Sequence, residues 1–269
     1  MTSASIVLYN TPYNNIRDLI FDLQKSNISL IYIIDNSSLD SNSVYKNMNK
    51  IIYIHNTHNI GFGSAHNIAF QDSISKKYNY HFIINPDIIA TECSINKLIS
   101  IIDQDKSIGA IMPKILNFDG SIQYLPKLLP SPISVVYRLF KWPNLFYKKF
   151  ITKYELRDYI LNNPINVPIL SGCFTLYNLN VLNKIGLFDE SFFMYFEDWD
   201  LSRRIHKHFK TIYFPSITVN HGYENGARKN LRLFKIFLKS YFLYFKKWGW
   251  MIDSERNTIN KKVLDIISL

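Results

Sequence analysis

Cysteine is scarce in this chain. Cys93 and Cys173 are the two among 269 residues, with no CxxC pair and no His/Cys cluster at zinc spacing. That argues against a disulfide framework and a structural zinc, and it fits a reducing compartment. No run of about 18 uncharged apolar residues occurs, and the opening stretch MTSASIVLYN has no basic region leading into an apolar one. The expectation is a cytosolic protein that does not span a membrane. Internal repeats, low-complexity tracts and the signatures of RNP, KH or helix-turn-helix modules are missing too.

What is present is apolar and basic. A hydrophobic content of 47% is that of a globular chain with a sizeable core, long enough for one large α/β domain or two small ones. Against 21 Asp and Glu stand 31 Lys and Arg, a formal net charge of +10. Polyanions, anionic membrane surfaces and phosphate-bearing ligands are therefore plausible partners, and charge alone does not choose among them.

Four short apolar runs alternate with helix-compatible stretches in the first half: SIVLYN (Ser5 to Asn10), SLIYIID (Ser29 to Asp35), KIIYIHN (Lys50 to Asn56) and HFIINPD (His81 to Asp87). Runs this short and rich in Ile, Val and Tyr read as buried parallel strands, with NIRDLIFDLQKS and SAHNIAFQDSISKKY as crossover helices. Polar residues collect at the ends of these strands: Asn10, Asp35 with Ser37 and Ser38, Asn59 with Gly61, and Asn85 with Asp87. Open parallel sheets bind ligands beyond the carboxyl ends of their strands, so the pattern predicts a site there. From Gly109 a strand runs into an Asp-Gly turn. A Pro-punctuated, aromatic and basic segment follows from Leu125 to Tyr159, and reads as a lid or insertion. VPILSGCFTLYN (Val167 to Asn178) resumes as a strand pair, KTIYFPSITVNHG is a late strand ending at His221, and the chain from about Ala227 reads as one long helix.

The stretch FFMYFEDWDLSRR, Phe192 to Arg204, sets five aromatic rings and a methionine against three carboxylates. As the start of a helix, its acids suit the dipole. Asp200 has Arg203 and Arg204 at i+3 and i+4, which marks it as structural, whereas Glu197 and Asp198 have no cation at that spacing. Capping and catalysis both stay open for those two; a carboxylate beside aromatic surface but open to a cleft can have its pKa raised toward neutrality, as a general base needs. Asp87 in INPDI is either a Pro-Asp turn or the ligand of a divalent ion on a diphosphate. In HNIGFGSAHNIAF, His66 stands where a dinucleotide fingerprint has its third glycine, so that reading is discounted. The glycine loop suits a phosphate, a nucleobase edge or a plain turn. His221 closes the last core strand, either as a structural residue or as a metal or phosphate ligand.

Together these pieces resemble family 2 glycosyltransferases of the GT-A fold, in particular the bacterial rhamnosyltransferase-like branch that builds surface polysaccharides such as O-antigen or capsule. The match runs from Ser5 to about Gly222 through IIDNSS, NIGFGSAHNIAF, IINPDI, LSGCFTLYN, IGLFDESFFMYFEDWDLSRRI and VNHG, in the family's order. The resemblance implies an α/β, Rossmann-like fold whose mostly parallel central sheet is flanked by helices. It implies inverting transfer of a sugar from a nucleoside diphosphate to an acceptor hydroxyl. Asn10, Asp35, Ser37, Asn59, Gly61 and Asn85 would then lie on the donor, with Ser171 and Gly172 bordering its sugar. Asp198 would be the base, with Glu197 beside it. Asp87 would hold Mn²⁺ or Mg²⁺ on the diphosphate. Asn85 replaces the first acid of the DxD that many members carry, which leaves one obvious carboxylate for the metal and makes a supporting role for His221 attractive. The aromatic run would form the apolar wall of the acceptor site. The leading donor is dTDP-rhamnose, with UDP-galactose, UDP-N-acetylglucosamine or another nucleotide sugar as the alternative, and the acceptor is a saccharide, free or polyprenyl-linked.

The expected layout is a catalytic domain over residues 1–226, with the insertion at about 125–160, and a basic, aromatic helical extension over 227–269. In that extension Arg228, Arg232, Lys235, Lys239 and Lys246 share one helical sector, opposite Leu231, Phe234, Leu238, Tyr241, Phe245 and Trp248. Such a helix either lies in an anionic membrane interface, here the cytoplasmic face of the inner membrane, or packs on the catalytic domain or a second subunit. A homodimer is compatible with the sequence and a nucleic-acid partner is not expected. A non-catalytic basic scaffold or nucleic-acid binder is the reading of another class.

Overall fold

The computed structural model describes residues 1–40, 42–140, 144–159, 163–222 and 230–267. Strands β1 (Thr2–Leu8), β2 (Ile28–Asp35), β3 (Ile51–His55) and β4 (Tyr80–Ile84) are the four apolar runs, paired in parallel in the order β3-β2-β1-β4. Successive residues of β2 face opposite sides of the sheet. Ile31 and Ile33 pack with Ile16, Leu19, Ile20 and Leu23 of α1 (Tyr13–Lys25), while Tyr32 and Ile34 pack with Ala65 and Ala69 of α2 (Phe62–Ser75). One crossover helix therefore covers each face, as right-handed parallel connections require.

The second half extends the sheet. β5 (Ile88–Ile89) follows β4, and after α3 (Glu92–Gln104) come β6 (Ile108–Leu116), β7 (Ile165–Asn166), β8 (Phe174–Asn178) and β9 (Lys210–His221). β8 runs antiparallel between β4 and β6, β9 is parallel to β6, and β5 and β7 are antiparallel to β9. Of the strand pair expected in VPILSGCFTLYN, one strand forms, β8; β7 ends at Asn166, just before that stretch, and pairs with β9. Between β6 and β9 the register jumps from Pro113 opposite Phe214 to Lys114 opposite Thr218. Pro215 lies in that bulge, where its missing N–H costs no ladder bond. The bulge re-aims the end of β9, so that His221 lands opposite Ile88, one residue beyond Asp87.

The described residues of the 125–160 segment join the core. Leu128, Ile151, Tyr154 and Leu156, around α4 (Pro132–Phe140) and α5 (Asn144–Tyr154), pack with Met112, Tyr177 and Tyr213 of the sheet. Helices α6 (Leu179–Ile185) and α7 (Glu197–His206) follow β8. The C-terminal extension departs from the single helix expected: α8 (Leu231–Trp248) and α9 (Ser254–Ile267) are separated by Gly249, at φ +97°, where a Cβ would lie 2.7 Å from the Ile252 carbonyl oxygen. Arg228 lies outside the described residues.

α8 packs on α4 and on the residues that lead into α7. Tyr244 and Phe245 are buried with Phe192, Phe196 and Val135, and Tyr195, Trp199, Phe237, Tyr241 and Trp248 flank them. The aromatic run of FFMYFEDWD is therefore in part the seat of α8, a correction to its reading as an acceptor wall. Arg203 helps secure the contact and does not pair with Asp200: it is 1% exposed, donates both terminal nitrogens to Asp253 at 2.9 Å, reaches Glu255 and lies over the Trp248 ring at 4.1 Å.

Candidate active site

Two carboxylate centres bracket the turn that precedes β8. On one side the Asn85 amide donates to the Cys173 carbonyl at 2.8 Å, joining the end of β4 to that turn. On the other, the Gly172 amide donates to Asp198 Oδ2 at 3.0 Å. A Cβ on Gly172 would meet Asp198 Cβ at 3.4 Å and Phe62 Cε1 at 3.2 Å, so the close approach requires a glycine or a shift of its neighbours. The charges of Asp198 and Asp87 both act on the buried Cys173 thiol, pushed up to about 12 chiefly by burial. The two centres thus share one site.

Asp198 and Glu197 open α7 directly after two left-handed aromatic residues, Tyr195 at φ +71° and Phe196 at φ +69°. Bulky residues rarely adopt that backbone, and packing must hold them there. Phe196 lies 5.5 Å from Tyr244 and 5.3 Å from Phe237 between ring centroids, and Ser240 Oγ donates to the Met194 carbonyl at 2.8 Å. α8 therefore braces the turn that aims both acids.

Burial raises both carboxyl pKa values, and Asp198's charge adds to the burial of Glu197, which is pushed well above the usual range. Glu197 is 5% exposed and its Oε2 has no hydrogen-bond partner among the described residues. Asp198 instead accepts from the Gly172 and Trp199 amides and feels the Lys127 cation. Adjacent buried carboxyls resist double ionisation. The larger rise falls on Glu197, so the pair's proton is held more firmly there, and Asp198, with its two amide donors, is the member better placed to ionise. Asp200 has no such freedom. It is fully buried, bonded to Arg204 Nε and Trp248 Nε1 and paired with Lys247.

At the β4 end, His221 Nε2 lies 3.2 Å from Asp87 Oδ1 and 3.3 Å from Asn85 Nδ2. Gln123 fixes the tautomer. Its amide nitrogen donates to the His221 carbonyl at 2.9 Å and to Asn117 Oδ1 at 2.7 Å, so its Oε1 must accept the Nδ1 proton at 3.0 Å. With Nδ1 committed to Gln123, Nε2 is the ring nitrogen that faces the Asp87 carboxylate, as in a metal-binding histidine oriented from behind. This donor set fits Mg²⁺ or Mn²⁺ supported by a diphosphate, since such ions take one or two protein ligands and complete their shell with phosphate and water. Among the described residues no group of three or more His, Cys, Asp or Glu gathers as a fuller metal cage.

The expected nucleoside end is built around Asp35. Its carboxylate, fully buried, accepts from the Ser37 amide at 2.9 Å, Asn42 Nδ2 at 2.8 Å and Tyr53 OH at 3.2 Å. Ser37 Oγ accepts from the Asn10 amide at 2.7 Å, and Asn59 Oδ1 from the Gly61 amide at 2.9 Å. Asp35 thus orders the loop. In the glycine loop the Phe62 amide donates to the Phe193 carbonyl at 2.9 Å and the Gly61 amide to Asn59, so these two amides are spent within the protein. Ser171 donates its amide to Met112 Sδ and its carbonyl accepts from Thr175.

Three residues escaped the sequence reading. Asn36 ties the loops together through Asn56, Asn59 and Gly61, and Gln123 sets the His221 tautomer. Lys127, 3% exposed, bonds the Tyr124 and Leu125 carbonyls and is pushed down to about 7 by burial and by Arg138. Its one signal was a lysine between prolines in an apolar run.

An open sheet of mostly parallel strands, helices on both faces and a carboxylate centre beyond β4 make this a GT-A transferase fold. The family model for glycosyl transferase family 2 matches residues 3–186, and the chain belongs to that family. The match stops before Glu197. An N-acetylglucosaminyl-diphospho-decaprenol L-rhamnosyltransferase of Mycobacterium tuberculosis is 31% identical over 146 residues, 52% of this chain and 45% of that protein. The chain thus spans about half the length of that relative. Among solved structures, GalNAc-T7 with UDP, GalNAc and Mn²⁺ aligns with a TM-score of 0.66 at 16% identity, over 92% of this chain and 48% of the other. The mannosyltransferase PcManGT of Pyrobaculum calidifontis, in complex with GDP-Man and Mn²⁺, aligns at 0.56 and 11% identity, over 92% and 64%. These two likenesses are of fold.

Proposed function

We propose that the chain transfers a sugar from a nucleoside diphosphate to an acceptor hydroxyl with inversion at the anomeric carbon. The observation that carries this reading is the pairing of Asp198, held by two backbone amides, with the Asp87 and His221 centre across the Gly172 turn. Asp198 takes the proton of the attacking hydroxyl, and Gly172 keeps the carboxylate aimed while Glu197, protonated, adds no second charge beside it. Asp87 and Nε2 of His221 would hold the divalent ion. When bound, that ion neutralises charge on the leaving diphosphate. Asp35, Ser37, Asn10 and Asn59 shape the loops on which the nucleoside rests, with Asn85, Ser171 and Gly172 bordering the sugar.

L-Rhamnose from dTDP-rhamnose is the leading donor, supported by the rhamnosyltransferase relative, and a polyprenyl-linked saccharide is the leading acceptor on the same ground. The setting is then bacterial surface polysaccharide synthesis at the cytoplasmic face of the inner membrane.

The test incubates the protein with Mn²⁺ or Mg²⁺ and a panel of nucleotide sugars, with and without a membrane lipid extract. Release of nucleoside diphosphate and labelled product are measured beside Asp198→Asn and Asp87→Ala. One donor consumed, with both variants inactive, is the expected result. A chain that neither binds nor turns over any donor overturns the reading.

A further inference from the structure

With its aromatic face turned inward, α8 presents the opposite side outward. Arg232, Lys235, Lys239, Phe242 and Lys246 follow one another at three- and four-residue steps and are all exposed, which makes one stripe along the helix. Phe242, 56% exposed, sits among the lysines, its ring 5.5 Å from that of Trp250. The turn after α8 then shows Trp250, Met251 and Ile252 to the outside, the last two 69% and 92% exposed. This turn is fixed in place: the buried Arg256 guanidinium bonds the carbonyls of Trp250, Met251 and Pro130. Beside it α4 begins, and α4 carries its own exposed apolar row, Ile133, Val136 and Phe140.

The charge on these elements has one sign. α4, α5 and α8 contain no Asp or Glu, against Arg138, Lys148, Lys149, Lys153, Arg232, Lys235, Lys239, Lys246 and Lys247. Exposed apolar side chains set in a cationic field are what an anionic lipid surface selects. A second copy of the chain is a poor occupant, since a two-fold contact through this face would press the basic stripe against itself.

We propose that the outward stripe of α8, with Phe242 and the Trp250-Met251-Ile252 turn, lies on an anionic lipid bilayer, with the exposed row of α4 at its margin. Periodicity alone would send the wide aromatic face into the lipid; the packing reverses the helix. Arg138 of α4 stacks over Trp199, next to Asp198, at 5.9 Å, so the lipid-facing layer borders the candidate base. The surface deepens the reading of a lipid-linked acceptor and rests on that reading for its purpose.

The experiment sediments the full chain with vesicles of phosphatidylcholine alone or mixed with phosphatidylglycerol. Binding is expected to the mixed vesicles only and to fade in high salt. Met251→Ser with Ile252→Ser should weaken it about tenfold or more, and Lys235→Glu with Lys239→Glu should abolish it, with melting temperatures unchanged. All four residues are exposed, so the fold has little to lose. A chain that ignores the mixed vesicles, or pellets equally with both kinds and regardless of the substitutions, overturns the proposal. A concentration-dependent dimer that Ile252→Ser dissolves assigns the face to a second copy and overturns it too. Vesicle binding kept while no donor is consumed defeats the glycosyltransferase reading and leaves this one standing.

Discussion

The Gly172 amide donates to Asp198 Oδ2 across 3.0 Å, so the turn before β8 and the first turn of α7 are held to one another by the candidate base itself. Burial raises the Asp198 pKa, while the amides and the Lys127 cation oppose the rise. The base works only when ionised. Activity should therefore fall as the pH drops through a limb lying above the usual carboxylate range. Lys127→Met removes the opposing cation and should move that limb of kcat/KM to higher pH, and Asp198→Asn should cost about 10²–10⁴-fold in kcat. A limb that does not move in the Lys127 variant separates Lys127 from the base.

Gly61 is the residue on which the junction of α2 with the acid loop depends. Its φ is +94°, and a Cβ would lie 2.4 Å from the Phe193 carbonyl oxygen, which the Phe62 amide needs as its acceptor. Backbone sits on both sides of the clash, so no side chain can yield. Gly61→Ala should destabilise the protein by about 1–3 kcal/mol, read as a lower urea midpoint at unchanged slope. An unchanged midpoint means that this junction is looser than described.

Much of this was legible because strand residues carry their own pattern. The runs ending at Asn10, Asp35, Asn56 and Asp87 could be read as parallel strands, since both faces of such a sheet are covered and the runs are apolar without alternation. Asp200 could be set apart from Glu197 and Asp198 because its partner Arg204 lies four residues away on the same helix. What sequence spacing does not encode is contact between distant segments. Arg203 reaches Asp253 instead of Asp200, 50 residues along the chain, and Gln123 reaches His221 across 98. The aromatic run looked like a ligand wall because its seat, α8, is an independent helix whose docking leaves no local signature.

The His221 tautomer offers a sharper test of the metal centre than removal of a ligand. Gln123 Oε1 holds the Nδ1 proton and so keeps Nε2 available beside Asp87. Gln123→Leu removes that hold without touching either ligand. The Mn²⁺ concentration for half-maximal donor binding should rise about 10–100-fold, the usual cost of losing an outer hydrogen bond to a ligating histidine. An unchanged metal requirement would count against His221 as a ligand.

A pH-dependent stability is built into the core between β1, β4 and α2. Ser5 Oγ bonds His66 Nδ1 and His81 Nε2, both at 2.7 Å, and neither ring has exposed surface. Burial depresses both, His66 to about 3 from 6.5. Because the folded-state value lies below the unfolded one, the unfolded chain takes up the proton first. Stability is full above pH 6.5 and is lost as the pH falls toward 3. The loss is about 1.4 kcal/mol per pH unit for His66 within that window, with His81 adding in the same direction. Urea unfolding at pH 7 and pH 5 measures it, and equal midpoints would show that the rings are already protonated or solvated.

The brace on the acid turn should separate chemistry from binding. Tyr195 and Phe196 hold left-handed backbone only while Phe237, Tyr241 and Tyr244 pack on them and Ser240 Oγ holds the Met194 carbonyl. Ser240 is itself 2% exposed, and its hydroxyl goes to the Met194 carbonyl. Ser240→Ala leaves the half-buried Met194 carbonyl short of a donor, a cost of about 1 kcal/mol that the strained turn can escape by relaxing. Relaxation swings Glu197 and Asp198 and leaves the Asp87 and His221 centre where it is. The expected signature is a fall in kcat with donor affinity unchanged, together with faster protease cleavage near Met194. A variant with lower donor affinity and intact kcat would instead mean that α8 supports the sheet as a whole and not the turn that carries the base.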